Sequence, residues 1–291
     1  MDNSVWAVVG GDARQAALAR LLAAEGNTVY CAALDEAVGS MPGAASTDPG
    51  TAIRLADYVI LPMPPTRDGT TLFAPLSRVS VPLDDKLCTA LRGKTVFVGM
   101  ASRLRAVSEA YAALPLRDYY ESEPFLLRNA RATAEGTLAE IILHSPRTVC
   151  GSRILLTGCG RITRSLAPML RQLGAGVSVA ARGAADRAWA ESVGIEGLTF
   201  PKAARCAGQF AVIVNTVPAP VIGADWIEAI ASAASDPLLL ELASAPGGID
   251  ADACERHALR LLRAPGLPGR TSPLSAAENI KETVMLSIEE G

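Results

Sequence analysis

Gly158-Cys159-Gly160 offers the clearest chemistry in the chain: it follows the apolar run Ile154-Leu155-Leu156 and opens a helical pattern. In that setting a glycine pair marks a dinucleotide site. The first glycine permits a tight turn and the second lets the backbone approach a pyrophosphate. The first N–H groups of the following helix, at Arg161 and Ile162, lack intrahelical partners and carry partial positive charge. Thr163 stands where a third glycine is usual, and Pro168 removes a hydrogen bond inside the helix and bends it. At the end of the second strand an acid would hold the ribose hydroxyls of NAD and repel a 2′-phosphate. The residue there is Arg182, followed by Gly183 and later Arg187. A guanidinium matches phosphate geometry, so NADP is favoured over NAD. The competing reading makes Arg182 a solvated loop charge and Asp186 a helix cap.

A second glycine pair, in Gly10-Gly11-Asp12-Ala13-Arg14-Gln15, follows a different logic. Asp12 and Gln15 fit a capping box, which places a carboxylate where a pyrophosphate would have to sit. This half is therefore expected to face the substrate, with Arg14 one turn into its helix. Three further loops concentrate Gly and Pro: Asn215-Thr216-Val217-Pro218, Glu241-Leu242-Ala243-Ser244 with Pro246-Gly247-Gly248 behind it, and 265–270. Such residues fix backbone shape close to a ligand, or simply make tight turns. Histidine occurs only as His144 and His257. His257 reads as an exposed helix residue, and His144 ends a helix where positive charge suits the dipole, so a structural role is expected for both. The chain has no G-x-S-x-G elbow and no Cys/His spacing for a nucleophile or a metal, which argues against hydrolysis and metal chemistry.

The elements that must position these residues are short buried strands alternating with amphipathic helices. Apolar runs begin at Ser4, Asn27, Asp57 and Lys94, with helical patterns near 13–25, 83–91 and 103–113. A second round begins at Arg153, with helices near 185–193 and 224–233. This alternation specifies an α/β fold of two doubly wound parallel-sheet, Rossmann-like domains. Between them, 129–149 reads as a crossing helix, capped by Thr133 with Glu135 in its first turn. The expected plan is a substrate and catalytic domain over 1–128, the crossing helix, and an NAD(P)-binding domain over 150–272. By analogy with two-domain dehydrogenases, a helix over 273–291 returns to the first domain.

Composition agrees with that plan. The 291 residues suffice for about two domains. A hydrophobic fraction of 49% with 20% charged residues excludes a disordered chain. A net charge of −3 gives no global positive field for nucleic acid or an anionic membrane. The six cysteines are scattered and read as reduced. The first residues, MDNSVWAVVGG, carry no basic segment or cleavage site, and the uncharged, mostly apolar stretch 210–224 is shorter than a membrane span and broken by Pro218 and Pro220. A cytoplasmic enzyme is expected. A dimer or larger homo-oligomer is common for two-domain enzymes of this kind.

Several of these pieces together resemble a known family. GGDAR near the N-terminus, NARATAEG, GCGRITRSLA, NTVP, LASAPGGID and APGLPGRTSP resemble the A subunits of dipicolinate synthase, in the same order and at similar spacing. LAS-x-PGG-x-D followed by APGLPG is the specific part, whereas GxGR and NTxP fit many dehydrogenases. Thr163 and the segment MPPTRDGTT after Pro62 depart from the family's pattern. The resemblance implies a sporulation enzyme of the mother-cell cytoplasm that oxidises a dihydropyridine dicarboxylate of the lysine pathway to dipicolinate. It also implies NADP as oxidant and, for partner, a flavoprotein-like B subunit. Two carboxylates call for cations and helix starts: Gly11 with Arg14, Arg103, and Arg270 in the PGLPGR loop are the candidates. Asn215 and Ser244 would lie near the nicotinamide, with Thr216, Val217, Pro218 and Ala243 lining the cofactor. Glu241 is either a proton acceptor or a carboxylate bonded to loop backbone. The alternatives are another dehydrogenase of a small hydroxy- or amino-acid, or a nucleotide-binding regulatory subunit.

Overall fold

The structure, a computed structural model, describes residues 4–35, 43–233 and 235–290. Residues 1–3 and 291, which end the expected N-terminal domain and C-terminal helix, lie outside the described residues. The chain divides into two compact units, Met1–Asn129 with Pro268–Gly291, and Ala130–Leu267.

The first unit is built on six parallel strands: β1 (Val5–Val9), β2 (Thr28–Ala32), β3 (Ala44–Ser46), β4 (Tyr58–Ile60), β5 (Thr95–Val98) and β6 (Leu116–Asp118), in the order β3-β2-β1-β4-β5-β6. Alternation along β1 divides its side chains between two cores. Trp6 and Val8 pack with Leu18, Leu22, Phe97 and Phe125, while Ala7 and Val9 pack with Ile53, Val59, Leu87 and Val98. Apolar faces on both sides explain why these strands read as near-continuous hydrophobic runs. Helix Ala13–Ala24 covers one face, and the C-terminal helix Pro273–Glu289 joins the same core through Ala277, Ile280 and Val284.

Helix starts in this unit are set by short acids. Asp48 and Asp84 cap helices Pro49–Leu55 and Asp85–Leu91. At helix Ala13–Ala24 the expected capping box is present: the Asp12 carboxylate accepts from the Arg14 amide, and the Gln15 side chain accepts from the Asp12 amide at 3.1 Å.

The second unit repeats the plan with β7 (Arg153–Thr157), β8 (Gly176–Ala180), β9 (Glu196–Leu198), β10 (Val212–Asn215), β11 (Leu238–Glu241) and β12 (Leu261–Arg263), in the order β12-β11-β10-β7-β8-β9. All the strand pairs are parallel. One face carries Ile154, Leu156, Leu166, Leu170 and Val214, the other Leu155, Phe210, Ile213, Trp226 and Ile227. The architecture is α/β with two Rossmann-like sheets.

Three elements differ from expectation. The helix expected over 103–113 is two short ones, Ala101–Arg105 and Glu109–Ala112, because Ser108 turns the chain and caps the second. The crossing helix runs Glu123–His144 and does not begin near Thr133. Its start lies at Ser122, whose Oγ accepts from the Phe125 amide at 3.4 Å, with Pro124 in the first turn. Thr133 is interior, its carbonyl accepting from Thr137 Oγ1 at 2.7 Å, and Glu135 pairs with Arg131. The loop expected to carry Arg270 is a short helix, Leu267–Thr271.

Asp12 does more than cap. It accepts from Arg14 Nε at 2.9 Å and Nη2 at 2.8 Å, and Arg14, only 4% exposed, also donates to the Met63 carbonyl at 2.7 Å. Burial works against the charge of Arg14, but the bond and charge of Asp12 outweigh it and hold the guanidinium protonated. Replacing Asp12 by Ala removes both a cap and the counter-charge of a buried cation. It should lower unfolding free energy by about 3 kcal/mol or more in denaturant titration. Asp12→Asn, which keeps the cap, should lose less.

Candidate functional site

In the second unit β7 lies between β8 and β10, so the chain leaves its carboxyl end toward one side and returns on the other. Such a switch point opens the crevice in which open α/β sheets bind ligands. The turn there is shaped by Gly158. Its φ is +87° and its N–H donates to the Ala180 carbonyl at 2.9 Å. A Cβ at Gly158 would stand 2.7 Å from Thr216 Oγ1 and 2.8 Å from a Val217 methyl, so no larger residue fits. Gly160 opens helix Arg161–Gln172 without any side-chain cap, and no atom lies within 4 Å of where its Cβ would be. An uncapped helix start beside open space is what a pyrophosphate requires, and Arg161 and Ile162 supply the first amides. Pro168 lies inside this helix, as its sequence position implies. Thr163 replaces the third glycine without loss of packing, because it is fully buried and its hydroxyl meets Thr216 Oγ1 at 3.3 Å.

Beneath that turn runs a buried polar chain. Thr157 Oγ1 donates to Asn215 Oδ1 at 2.6 Å, and Asn215 Nδ2 donates to Glu241 Oε1 at 2.8 Å and to the Val217 carbonyl at 2.9 Å. Glu241 Oε1 also accepts from the Ala243 amide at 2.9 Å. Its Oε2 accepts from the amides of Gly248 at 2.7 Å and Ile249 at 3.1 Å. The Glu241 carboxylate thus receives four hydrogen bonds at 3% exposure. Of the two readings open for Glu241, this geometry matches the carboxylate bonded to loop backbone, its oxygens already engaged. Asn215, fully buried and with both amide donors and its oxygen engaged, has no group left for a nicotinamide amide. The same network explains the PGG motif. A Cβ on Gly248 would stand 2.5 Å from Asn215 Nδ2 and 2.6 Å from the Ala219 carbonyl, and Gly247 lies against Glu241 with φ +85°. Ser244 is exposed on the turn above, its carbonyl accepting from the Gly247 amide, while Val217, Pro218 and Ala243 border the same loops.

At the end of β8, Arg182 is exposed and its guanidinium has no hydrogen-bond or ion-pair partner among the described residues. Arg187 Nη1 donates to the carbonyls of Ala181 and Arg182 at 2.8 and 2.7 Å and fixes that corner. Asp186 sits in the first turn of helix Ala184–Ser192 and makes no cap bond; it pairs with Arg164 at 3.2 Å. Burial pushes the Cys159 thiol up, keeping it protonated within the turn.

The substrate candidates of the first unit fare unequally. The Gly10 and Gly11 amides donate to the carbonyls of Ala32 and Phe73, both at 2.8 Å, so the turn is closed by backbone and Gly11 presents no N–H to an anion. Arg14 is held by Asp12 and Met63 as described. Arg103 is half-buried in helix Ala101–Arg105 after β5, with no hydrogen-bond partner among the described residues. Arg270 is exposed at the end of its short helix. Sequence reasoning passed over Arg67, whose guanidinium lies 4.2 Å from the centroid of Phe73, the residue that closes the Gly11 turn. Asp68 beside it is turned into its own loop by Thr66, Thr70 and Thr71, which hold its carboxyl well below the usual range. Only the stacking of Arg67 on an aromatic further along its loop marks it, and sequence spacing gives no sign of that.

Elsewhere, His144 pairs with Glu140 at 3.1 Å and its Nδ1 faces Arg260 Nη2 at 3.0 Å, near the amino end of β12. A cavity of about 890 Å³ opens at the same, amino-terminal edge of the sheet, beside Arg153 and Gln209, away from every candidate residue. Among the described residues there is no metal-ligating cluster, and no helix is long and apolar enough to cross a membrane.

The geometry of Glu241 makes a test. Glu241→Gln would turn an amide NH2 toward backbone N–H donors, and should cost about 2–4 kcal/mol of stability in chemical denaturation. A variant of unchanged stability that has lost turnover would instead return Glu241 to catalysis.

Known proteins resemble the chain over nearly its whole length. Residues 5–114 match the family described as the N-terminal domain of the dipicolinate synthase A subunit. The chain is 28% identical over 274 residues, 94% of its length, to the dipicolinate synthase A subunit of Bacillus subtilis (strain 168), of which it covers 91%. The crystal structure of the dipicolinate synthase A subunit from Bacillus halodurans is similar with a TM-score of 0.84 and 27% identity, covering 97% of this chain and 96% of that one. A transhydrogenase from Sinorhizobium meliloti, at 14% identity and a TM-score of 0.67 over 98% of this chain and 92% of that chain, shares the fold. With residues 5–114 matched to the N-terminal domain and the likeness running through both units, the chain is similar over nearly its whole length to the A subunits of dipicolinate synthase.

Proposed function

We propose that this chain is an NADP-dependent oxidoreductase that converts a dihydrodipicolinate-type intermediate of the lysine pathway to dipicolinate during sporulation, in the mother-cell cytoplasm, together with a B subunit. The observation that carries the reading is the Gly158–Gly160 turn, tight at its first glycine and open at its second, before an uncapped helix at the switch point of the second sheet. In this reading the second unit binds the dinucleotide, with the pyrophosphate on the amides following Gly160 and a 2′-phosphate beside Arg182. The first unit receives the substrate. Arg103 and Arg67, with Arg270 at the end of its short helix, are its candidate carboxylate ligands; the Gly11 amide and the Arg14 guanidinium bond within the unit.

The bound nicotinamide would supply a hydride acceptor. Loss of a hydride and, to base or water, of a proton would leave the dihydropyridine ring aromatic. Because aromatisation drives the reaction, the chain's task is to orient the ring and hold its carboxylates, and a strong base is dispensable. That suits a chain whose two histidines lie at the amino-terminal edge of the second sheet and whose buried Glu241 is engaged.

One observation favours a second reading. The two acids described at the carboxyl edge of the second unit are both engaged, Glu241 by its loop and Asp186 by Arg164, as expected of a nucleotide-binding half whose turnover needs its partner. Dipicolinate formation from freshly generated intermediate, followed by absorbance with NADP or NAD and with or without the B subunit, separates the readings. Turnover by the chain alone supports the first, turnover only with the partner the second, and none in either case overturns both. Arg270→Ala should raise the substrate KM about tenfold or more, as for a lost charge-assisted bond to a carboxylate, and leave the NADP KM nearly unchanged. Equal effects on both would remove Arg270 from the substrate site.

A further inference from the structure

At the carboxyl edge of the second unit, the side chain of Arg164 has no role in the account so far. Arg164, in helix Arg161–Gln172, donates through Nε to the Cys159 carbonyl at 3.0 Å and through Nη2 to Asp186 Oδ1 at 3.2 Å. Its guanidinium lies 4.9 Å from the ring centroid of Trp189. It therefore joins the glycine turn after β7 to the helix after β8, and the ring face keeps its charge in place.

Asp186 explains why that position matters. Its Oδ2 would lie 3.1 Å from a Cβ on Gly183, the residue that follows Arg182 and opens helix Ala184–Ser192. The end of β8 thus carries two opposed signals within one turn. An acid at the end of the second strand holds the ribose hydroxyls of an unphosphorylated dinucleotide and repels a 2′-phosphate, whereas an arginine there attracts one. Arg182 has no partner among the described residues, while Asp186 turns one oxygen toward Gly183 and gives the other to Arg164.

We propose that Arg164 sets the cofactor preference of this site by neutralising Asp186, so that a dinucleotide carrying a 2′-phosphate is accepted beside Arg182. The inference rests on the reading of the second unit as a dinucleotide domain. The pair is half-exposed on both sides, with side-chain exposures of 47% and 41%, and an ion pair in that setting contributes little to folding. Its effect is local: it cancels a negative charge where a dianionic phosphate would arrive. Arg187 does not take over this role, because its Nη1 is held by the Ala181 and Arg182 carbonyls. Arg164 is accordingly a positioning residue and a determinant of specificity, with no contact to reacting atoms.

The test uses binding alone. Dissociation constants for NADPH and NADH are measured by cofactor fluorescence on the full chain, for the native protein and for Arg164→Ala, Arg164→Lys, Asp186→Asn and the double variant Arg164→Ala/Asp186→Asn. The native chain should prefer NADPH. Arg164→Ala should weaken NADPH about fivefold and leave NADH nearly unchanged, the scale of one exposed charge pair. Arg164→Lys should keep most of the preference, and the double variant should recover it because the unmasked carboxylate is gone. Equal weakening of both nucleotides by Arg164→Ala would overturn the inference and make Arg164 a brace of the turn only. Failure of the double variant to recover, or a native preference for NADH, would overturn it as well. If the native chain binds neither nucleotide, the dinucleotide reading itself falls and takes this inference with it.

Discussion

A buried carboxylate must find hydrogen-bond donors, and in this chain Glu241 finds four. An ion left unpaired at that depth would cost several kcal/mol, so the surrounding backbone has no freedom to fold otherwise. To bring the Gly248 and Ile249 amides onto Oε2, the chain must double back after β11. To bring Asn215 onto Oε1, β10 must end in register with β11, as it does at the pair Asn215 and Glu241. Thr157 then ties β7 to the same chain through Asn215. One acid thus fixes the carboxyl ends of three adjacent strands, and the Gly158 turn is built on that platform, with Thr216 and Val217 against its first glycine.

The first unit solves the equivalent problem at the equivalent edge by different means. Where the second unit leaves a helix start open after Gly160, the first closes its own with Asp12, and Asp12 in turn holds the buried Arg14. Tyr119 is held nearby, its hydroxyl donating to the Leu61 carbonyl and its ionisation pushed up by complete burial. Two sheets of the same winding therefore present opposite electrostatic faces at their carboxyl ends. One is sealed around an internal ion pair, and the other keeps an uncapped helix start and the exposed charge of Arg182.

The fold was legible because strands buried on both faces read as apolar runs and because Gly158, Asp12 and Gln15 carry local signals. Their partners lie within a few residues along the chain. The helix start at Ser122 was obscured because Thr133 followed by Glu135 imitates a cap, while nothing in a local window reveals that Phe125 packs under Trp6 and Leu18 and draws the helix about three turns further back. The roles of Glu241 and Asn215 were undecidable from sequence, since a carboxylate aimed at a ligand and one aimed at its own loop are written with the same letters. Arg67 and Arg164 were invisible for a related reason: what distinguishes each is an aromatic face and a neighbouring acid brought close only by folding.

The interlocking of Glu241 with Gly247 and Gly248 bears on how kinship is inferred for chains of this kind. Those glycines are required by the acid that fills the space in front of them, and the acid is tolerated only because the backbone they shape reaches it. None of the three can drift alone, so the motif behaves as a single heritable character. A second protein that carries it has inherited the shape of a loop, and that inheritance would survive even where the chemistry above the loop had been exchanged for another.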